Sequence, residues 1–285
     1  MSYGIPYQGS KSKILPGLCR YFPKAENFYD LFGGGFSVTH AMLLHRSKDF
    51  QRFHFNEIRP EICQLIQDSI SGKYSYKNFK PEWISRERFF REKETNPYIK
   101  LCWSFGNNGE DYLYGKNIEQ YKKSMYNAVV FNQFDDFAEK TLQMKKFPDN
   151  LPIKQRRLFL KQKIENFQLE SLQSLERLQS LERLNYYNTD YRKIKIEKNS
   201  TIYCDIPYQN TREYDKNKNF NRKEFFDWAR SIDQPIFISE YSVKEKDFFE
   251  IKNQKTVSKM SSIGPSKATE KLYCNRLGWI ALRKS

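Results

Sequence analysis

The sequence predicts an α/β fold, a parallel sheet whose two halves are separated in the chain by a smaller inserted domain. Two observations predict it. Short apolar runs that end in turns and lead into helical faces occur near residues 27 and 52, and the alternation returns near residues 202 and 236. Strands alternating with helices imply parallel pairing, because each helix carries the chain back across the sheet. Between residues 73 and 165 this rhythm is lost, and the text is rich in Tyr, Phe, Asn, Lys and Arg. The expected division is therefore 1–72 and 166–285 for the sheet, with 73–165 inserted.

In NFYDLFGGGFSVTHAMLLH, an apolar run closes at Asp30 and Leu31, three glycines make a turn, and Val38, Ala41, Met42 and Leu43 begin a helical face. RFHFNEIRPEICQLIQDSI repeats the pattern, with Phe53 and Phe55 alternating toward Glu57 and a helix carrying Ile62, Leu65, Ile66 and Ile70. TIYCDIP and PIFISEY add strands at Ile202 and Ile236, with the helical text NRKEFFDWARSI between them. Inside the insertion, CWSFGNNGEDYLYG sets Asn108-Gly109 between aromatic segments, a two-residue hairpin signal, and KNIEQYKKSMYNAVV reads as a helix. Residues 172–184, LQSLERLQSLERL, are one unit written twice plus a leucine. Leucines at every third position advance by about 300° on an α-helix, so they drift around it and make no heptad seam. The duplication either lengthens a helix or connection, or its unit count sets the spacing between insertion and sheet and so tunes activity.

Hydrophobic residues at 39% and aromatics at 16% supply a core, so the mean hydropathy of −0.82 reflects a heavily charged surface. The formal charge of +15 attracts a polyanion, most simply nucleic acid, although a basic solvated surface gives the same total. Cys19, Cys63, Cys102, Cys204 and Cys274 are odd in number and form no C-x-x-C pair. That argues against a disulfide framework or zinc site and for reduced thiols in a cytoplasm. No stretch approaches the roughly 18 apolar residues of a spanning helix, and the start has no leader pattern, so no membrane role is expected. His40, His45 and His54 lack ligand spacing, and no metal is expected; Ser37, Ser239 and Ser261 lack a neighbouring base.

Two stretches carry chemistry. Phe32-Gly33-Gly34-Gly35-Phe36 sits at a strand-to-helix turn, where absent side chains let a ligand approach the backbone; a purely structural turn is the alternative. It is not G-x-G-x-x-G, and Asp30 before it would repel a pyrophosphate. Glu57, near the end of the second strand, can take both hydroxyls of a ribose. The second stretch is Asp205-Ile206-Pro207-Tyr208. Proline biases Ile206 toward an extended backbone, which aims its carbonyl outward beside Asp205. Two acceptors on one side complement an exocyclic amine with two N–H donors, and Tyr208 can stack on the ring bearing it. The alternative is an aspartate capping a turn beside a core tyrosine.

IPYQGSKSKIL, YDLFGGGFSV, NEIRPE and CDIPY, in that order with a long insertion before the last, resemble the Dam-like family of S-adenosylmethionine-dependent DNA adenine-N6 methyltransferases. The resemblance covers about residues 1–72 and 186–285. It implies a Rossmann-like methyltransferase sheet with an inserted target-recognition domain, S-adenosylmethionine as cofactor, and double-stranded DNA as partner of a monomer. It also implies that Tyr7 packs near the methionine end of the cofactor, with Lys11 close by and Gly9 supplying the turn. Asp30, Phe32, Gly33 and Gly35 would line the methionine, with Gly34 and Ser37 among the cofactor contacts, Glu57 on the ribose, and Asp190 and Tyr191 near the adenine. The family has Asp-Pro-Pro-Tyr where Asp205, Pro207 and Tyr208 match and Ile206 departs; the departure keeps the carbonyl and adds an N–H that needs a partner.

The implied chemistry is that Asp205 and the Ile206 carbonyl accept both N–H bonds of the target amine. Its nitrogen then pyramidalises and its lone pair faces the methyl group, an effect worth roughly 10² to 10³ in rate. A base in a duplex has to be flipped out to reach such a site. Lys100, Lys116, Lys122, Lys123, Lys145, Lys146, Arg156 and Arg157 are interleaved with aromatics and suit phosphates, with Asn107 and Asn108 at a base-reading turn; each lysine alone also reads as a solvated charge. The rivals are an amine methyltransferase acting on RNA bases or protein glutamine, a catalytically silent DNA-binding module, and a nicotinamide oxidoreductase, which the missing G-x-G-x-x-G disfavours.

Overall fold

The computed structural model describes residues 3–12, 14–75, 77–160, 169–176, 178, 181–208, 220–258 and 266–284. The chain packs as two compact units. One comprises Met1–Ile5, Gly9–Gln67 and Arg177–Ser285; the other comprises Pro6–Gln8 and Asp68–Glu176.

The first unit holds a seven-stranded sheet of β1 (Asn27–Asp30), β2 (Arg52–Asn56), β3 (Leu184–Tyr187), β4 (Ser200–Cys204), β5 (Ile236–Glu240), β6 (Phe248–Ser258) and β7 (Ser266–Asn275). Their order is β3-β2-β1-β4-β5-β7-β6, with β1 to β5 parallel and β7 antiparallel to both β5 and β6. This is the parallel α/β sheet expected from the alternating text, extended on one side by the antiparallel strands β7 and β6. From β1 the chain winds outward to β3, then returns to the other side of β1 as β4, so the winding direction reverses between β1 and β4. Ligands of open α/β sheets bind outside the carboxyl ends of the strands at such a reversal.

Period-two alternation gives the sheet its two buried faces. Phe28 lies on one face and packs against Phe22, Phe50 and Phe53, while Phe22 also meets Tyr203 and Phe237. Tyr29, Ile202, Cys204, Ile236 and Ile238 share the other core cluster with Phe225, Phe226 and Ala229 of the helix Arg222–Ser231. Full burial of one such aliphatic or phenyl side chain is worth roughly 1.5–3 kcal/mol. Asn221 caps that helix by accepting from the Glu224 N–H. The helices Ser37–His45 and Pro60–Ile70 follow β1 and β2 as expected.

In the second unit, short helices surround Trp83, Trp103, Tyr114 and Tyr126, and a second cluster of Met125, Ala128, Val129, Ala138, Leu142 and Phe147. The expected helix after residue 116 is present as Glu119–Tyr126 and continues as a π-helical turn, Asn127–Phe131. The hairpin expected at Asn108-Gly109 takes a wider form than a two-residue turn, its arms joined by the Phe105 N–H to the Asp111 carbonyl and the Leu113 N–H to the Trp103 carbonyl. The chain reverses through a longer loop closed by one antiparallel bridge between Ser104 and Tyr112. Asn108 Oδ1 accepts from the N–H groups of Glu110 and Asp111, which holds a wide turn open where an Asn-Gly pair would otherwise close a tight one.

The duplicated segment is not one helix: Leu169–Leu175 is α-helical and Leu181–Arg183 is a 3₁₀ turn leading into β3. Arg177, Gln179 and Ser180 of the repeat, and Ser261, lie outside the described residues. The five cysteines are buried free thiols. Among the described residues no helix is long and apolar enough to cross a membrane, and no group of three or more His, Cys, Asp or Glu side chains could hold a metal ion.

Candidate active site

Asp30 ends β1, and Asp205 follows the last residue of β4. The register pairs Asp30 with Tyr203, so the two carboxylates leave neighbouring strands at their carboxyl ends and on the same face. Asp30 is fully buried. Its Oδ2 accepts from Thr39 Oγ1 at 2.8 Å, whereas Oδ1 has no hydrogen-bond partner among the described residues. Burial pushes the Asp30 carboxyl up to about 7 against the opposing Thr39 hydrogen bond.

Around Asp205 the charges form a cluster. Lys11 Nζ lies 3.0 Å from Asp205 Oδ1 and 3.2 Å from Glu270 Oε1, and it donates to the Tyr208 hydroxyl at 2.7 Å. The Tyr208 hydroxyl in turn donates to Glu270 Oε1 at 2.9 Å. The contact with Asp205 is an ion pair out of line for a hydrogen bond, so the enclosed Oδ1 has no hydrogen-bond partner among the described residues. Burial works against the Lys11 ammonium, yet Asp205 and Glu270 together lift it above the ordinary lysine range. Asp205 faces one cation and a second carboxylate. Burial therefore raises it despite Lys11, and Glu270 adds to the rise. The side chain of Asp205 keeps 21% exposure, which leaves it within reach of an entering molecule. Ile206 is buried in the core cluster behind it, and Tyr241 meets the Tyr208 ring at 71° with centroids 4.6 Å apart.

At the glycine turn, Gly34 and Phe36 both have positive φ, 48° and 69°. For a phenylalanine this is a strained backbone, held here at the N-cap of Ser37–His45 by complete burial of the ring. Gly33 donates to the Asn56 carbonyl at 2.8 Å, and the space a side chain would need there is filled by the Phe55 ring. The Gly35 carbonyl accepts from the Ile5 N–H, and Gly4 packs directly against it. Gly33 and Gly4 are thus fixed by packing within the protein itself. Ser37 is buried at the first position of the helix.

The remaining cofactor candidates divide. Phe32 and Tyr191 stack obliquely at 5.0 Å between centroids. Asp190 accepts from the Arg192 N–H and pairs with its guanidinium. Glu57 is buried at the end of β2, where its carboxylate is clasped by the Arg59 backbone N–H and Nε at 3.0 and 2.8 Å. Gly9 has φ 84° and begins the segment that carries Lys11, while Tyr7 packs with the second unit.

These residues suit S-adenosylmethionine. Asp30 Oδ1 is buried without a hydrogen-bond partner among the described residues, a position that a donor such as the ammonium of a methionine would satisfy, and the rings of Phe32 and Tyr191 offer apolar surface for an adenosine. Glu57 would have to share its carboxylate between Arg59 and a ribose. An open cleft lined by Lys24, Phe50, Asn199 and Arg183 lies at the amino ends of the strands, the wrong end for a ligand of this sheet.

Several site residues carry no motif. Glu270 stands in the plain text SKATEKLYCN, and only the antiparallel pairing of β7 with β5 brings it to the carboxyl end of β4. Thr39 is one turn into a helix. Asn56 does open a motif, NEIRPE, but the motif assigns it no role; its side chain donates to the Leu31 carbonyl and accepts from the Thr189 N–H, tying the ends of three strands together.

Of the nucleic-acid candidates, Lys116 and Lys123 are exposed and Lys122 is half-buried. Lys100 pairs with Glu94, Lys146 pairs with Asp149, and Lys145 is exposed. Arg156 and Arg157 are not surface groups: they are 9% and 5% exposed, and Arg156 Nε donates to the Leu151 carbonyl. Asn107 and Asn108 use their side chains to shape their own loop, the former donating to the Leu101 carbonyl at 2.8 Å.

No curated protein sequence matches the chain. Among solved structures, the rRNA methyltransferase aviRa from Streptomyces viridochromogenes is similar at 11% identity and a TM-score of 0.39, over 95% of this chain and 84% of that one. A family model for D12 class N6 adenine-specific DNA methyltransferases matches residues 7–274, a span that contains Lys11, both strand-end aspartates and Glu270. With nearly its whole length matched, the chain belongs to the D12 class N6 adenine-specific DNA methyltransferase family.

Proposed function

We propose that Asp205, the Ile206 carbonyl, Pro207 and Tyr208 form the site where the target adenine is held. Asp30, Phe32, the glycine turn, Ser37, Glu57, Asp190 and Tyr191 would hold S-adenosylmethionine beside it. The family's reaction, methyl transfer from S-adenosylmethionine to adenine N6 in DNA, replaces the RNA, protein and oxidoreductase alternatives. The observation that carries the residue assignment is the pair of carboxylates at the carboxyl ends of β1 and β4, each with one enclosed oxygen that has no hydrogen-bond partner among the described residues, that of Asp205 being met by the Lys11 ammonium.

When bound, the cofactor supplies an electrophilic methyl group on a sulfonium. The protein supplies acceptors. Asp205 and the Ile206 carbonyl take the two N–H bonds of the amine, which localises the nitrogen lone pair and orients it, and Tyr208 holds the purine by stacking. In a duplex the adenine reaches these groups only by leaving the stack, so the substrate form is a flipped base in double-stranded DNA. The second unit, with Lys116, Lys122 and Lys123 on its surface, would contact the phosphates and serve as the target-recognition part.

Transfer of labelled methyl groups to DNA tests the assignment. Asp205→Ala and Tyr208→Ala should each lose about 10²-fold or more in rate while the affinity for S-adenosylmethionine is largely kept. Either variant at full rate would remove these residues from the site.

A further inference from the structure

We propose that Glu270 is a positioning residue for the reaction: it draws the Lys11 ammonium away from Asp205 when the target amine enters. The proposal rests on the roles given above to Asp205 and Tyr208. In the structure Lys11, only 8% exposed, is held among Asp205 Oδ1, Glu270 Oε1 and the Tyr208 hydroxyl, and it stands 4.5 Å from the centroid of the Tyr208 ring. It therefore covers one oxygen of Asp205, where an amine bonded to that oxygen would sit, at the hydroxyl end of the ring on which a purine would stack. Tyr241 already packs edge-on against that ring. A base whose amine takes Asp205 Oδ1 can be seated only after Lys11 has moved.

Glu270 gives Lys11 somewhere to go. Its carboxylate is buried at 8% exposure, already 3.2 Å from the ammonium, and anchored by the Tyr208 hydroxyl at 2.9 Å. A short swing toward Glu270 leaves the ammonium with one carboxylate and the phenol oxygen, and it frees Asp205 for the substrate. Without Glu270, the same movement would strand a buried cation, so Lys11 would stay locked on Asp205. The hydrogen bond from Tyr208 to Glu270 also fixes the ring for stacking.

A duplex containing the site that the enzyme methylates in plasmid DNA, with 2-aminopurine beside the target adenine, reports base extrusion by its fluorescence. Lys11→Met should raise the extruded fraction and Glu270→Gln should lower it about tenfold, since a buried pair resists separation when no second partner exists. The double variant should return to the level of Lys11→Met, and Glu270→Asp should keep most of the wild-type signal. The proposal is overturned if Glu270→Gln extrudes the base as well as the wild type, or if the double variant stays as low as Glu270→Gln. If Glu270→Gln does not fold, Lys11→Met alone decides, and an unchanged or lower signal overturns the proposal. Full methylation by Asp205→Ala would instead refute the underlying site, whatever the fluorescence shows.

Discussion

The Phe55 ring fills the space that a side chain on Gly33 would require, so the first glycine of the turn is fixed by the core of the sheet itself. Phe55 is fully buried and meets Phe36 at 5.0 Å, which leaves it little room to retreat. Gly33→Ala should therefore destabilise the protein by about 1–3 kcal/mol, the usual cost of overpacking. Thermal denaturation without ligand measures this. Adding Phe55→Leu should recover part of the loss; if Gly33→Ala melts like the wild type and only cofactor affinity falls, the glycine serves the ligand alone.

Asp30 makes stability depend on pH. Its carboxyl, ordinarily near 3.8, is raised to about 7 by burial, so the folded state holds the proton more tightly than the unfolded chain. The stability this contributes is fully present below the unfolded value and is lost as pH rises through about 7. Relative to Asp30→Asn, the wild type should lose a few kcal/mol between pH 5 and pH 9, because a shift of one unit is worth about 1.4 kcal/mol. The same ionisation creates the anion proposed to meet the cofactor's ammonium, so S-adenosylmethionine should bind the wild type more tightly at pH 8 than at pH 6. Paired melting and calorimetric titrations of the two proteins give both readouts. A stability difference that stays flat with pH would mean that Asp30 is already ionised when buried.

The parts of the fold set by local pattern were legible in the sequence. β1, β2, β4 and β5 with their helices follow from apolar periodicity, and Asp30 and Asp205 from strand ends that close on a carboxylate. β3, β6 and β7 were not, because β3 is an edge strand with only its first residue buried and β6 and β7 mix charges with apolar residues. Glu270 was hidden for the same reason. It meets Lys11 only through the register that sets Glu240 opposite Lys271, a pairing between distant segments that no local motif encodes. Arg156-Arg157 shows the converse error: a basic pair looks like surface, yet the helix Ile153–Leu160 turns both inward.

That difference between exposed and buried basic residues separates DNA contacts from structure in the second unit. Lys116 and Lys123 project from the surface, so Lys116→Ala and Lys123→Ala should leave the melting temperature nearly unchanged. Each should reduce the slope of log affinity against log salt by about 0.9 for every phosphate that the lysine had neutralised. Arg157 is buried, and its charge acts on the phenols of Tyr98 and Tyr126, themselves packed inside the unit. Arg157→Ala should therefore lower the melting temperature first, with weaker DNA binding only as a consequence. Filter binding over a range of salt, beside thermal melting of the same three variants, distinguishes the two roles. An Arg157→Ala protein with native stability and a shallower salt slope would return that arginine to the DNA surface, and unchanged slopes for both lysine variants would take the phosphates away from this face.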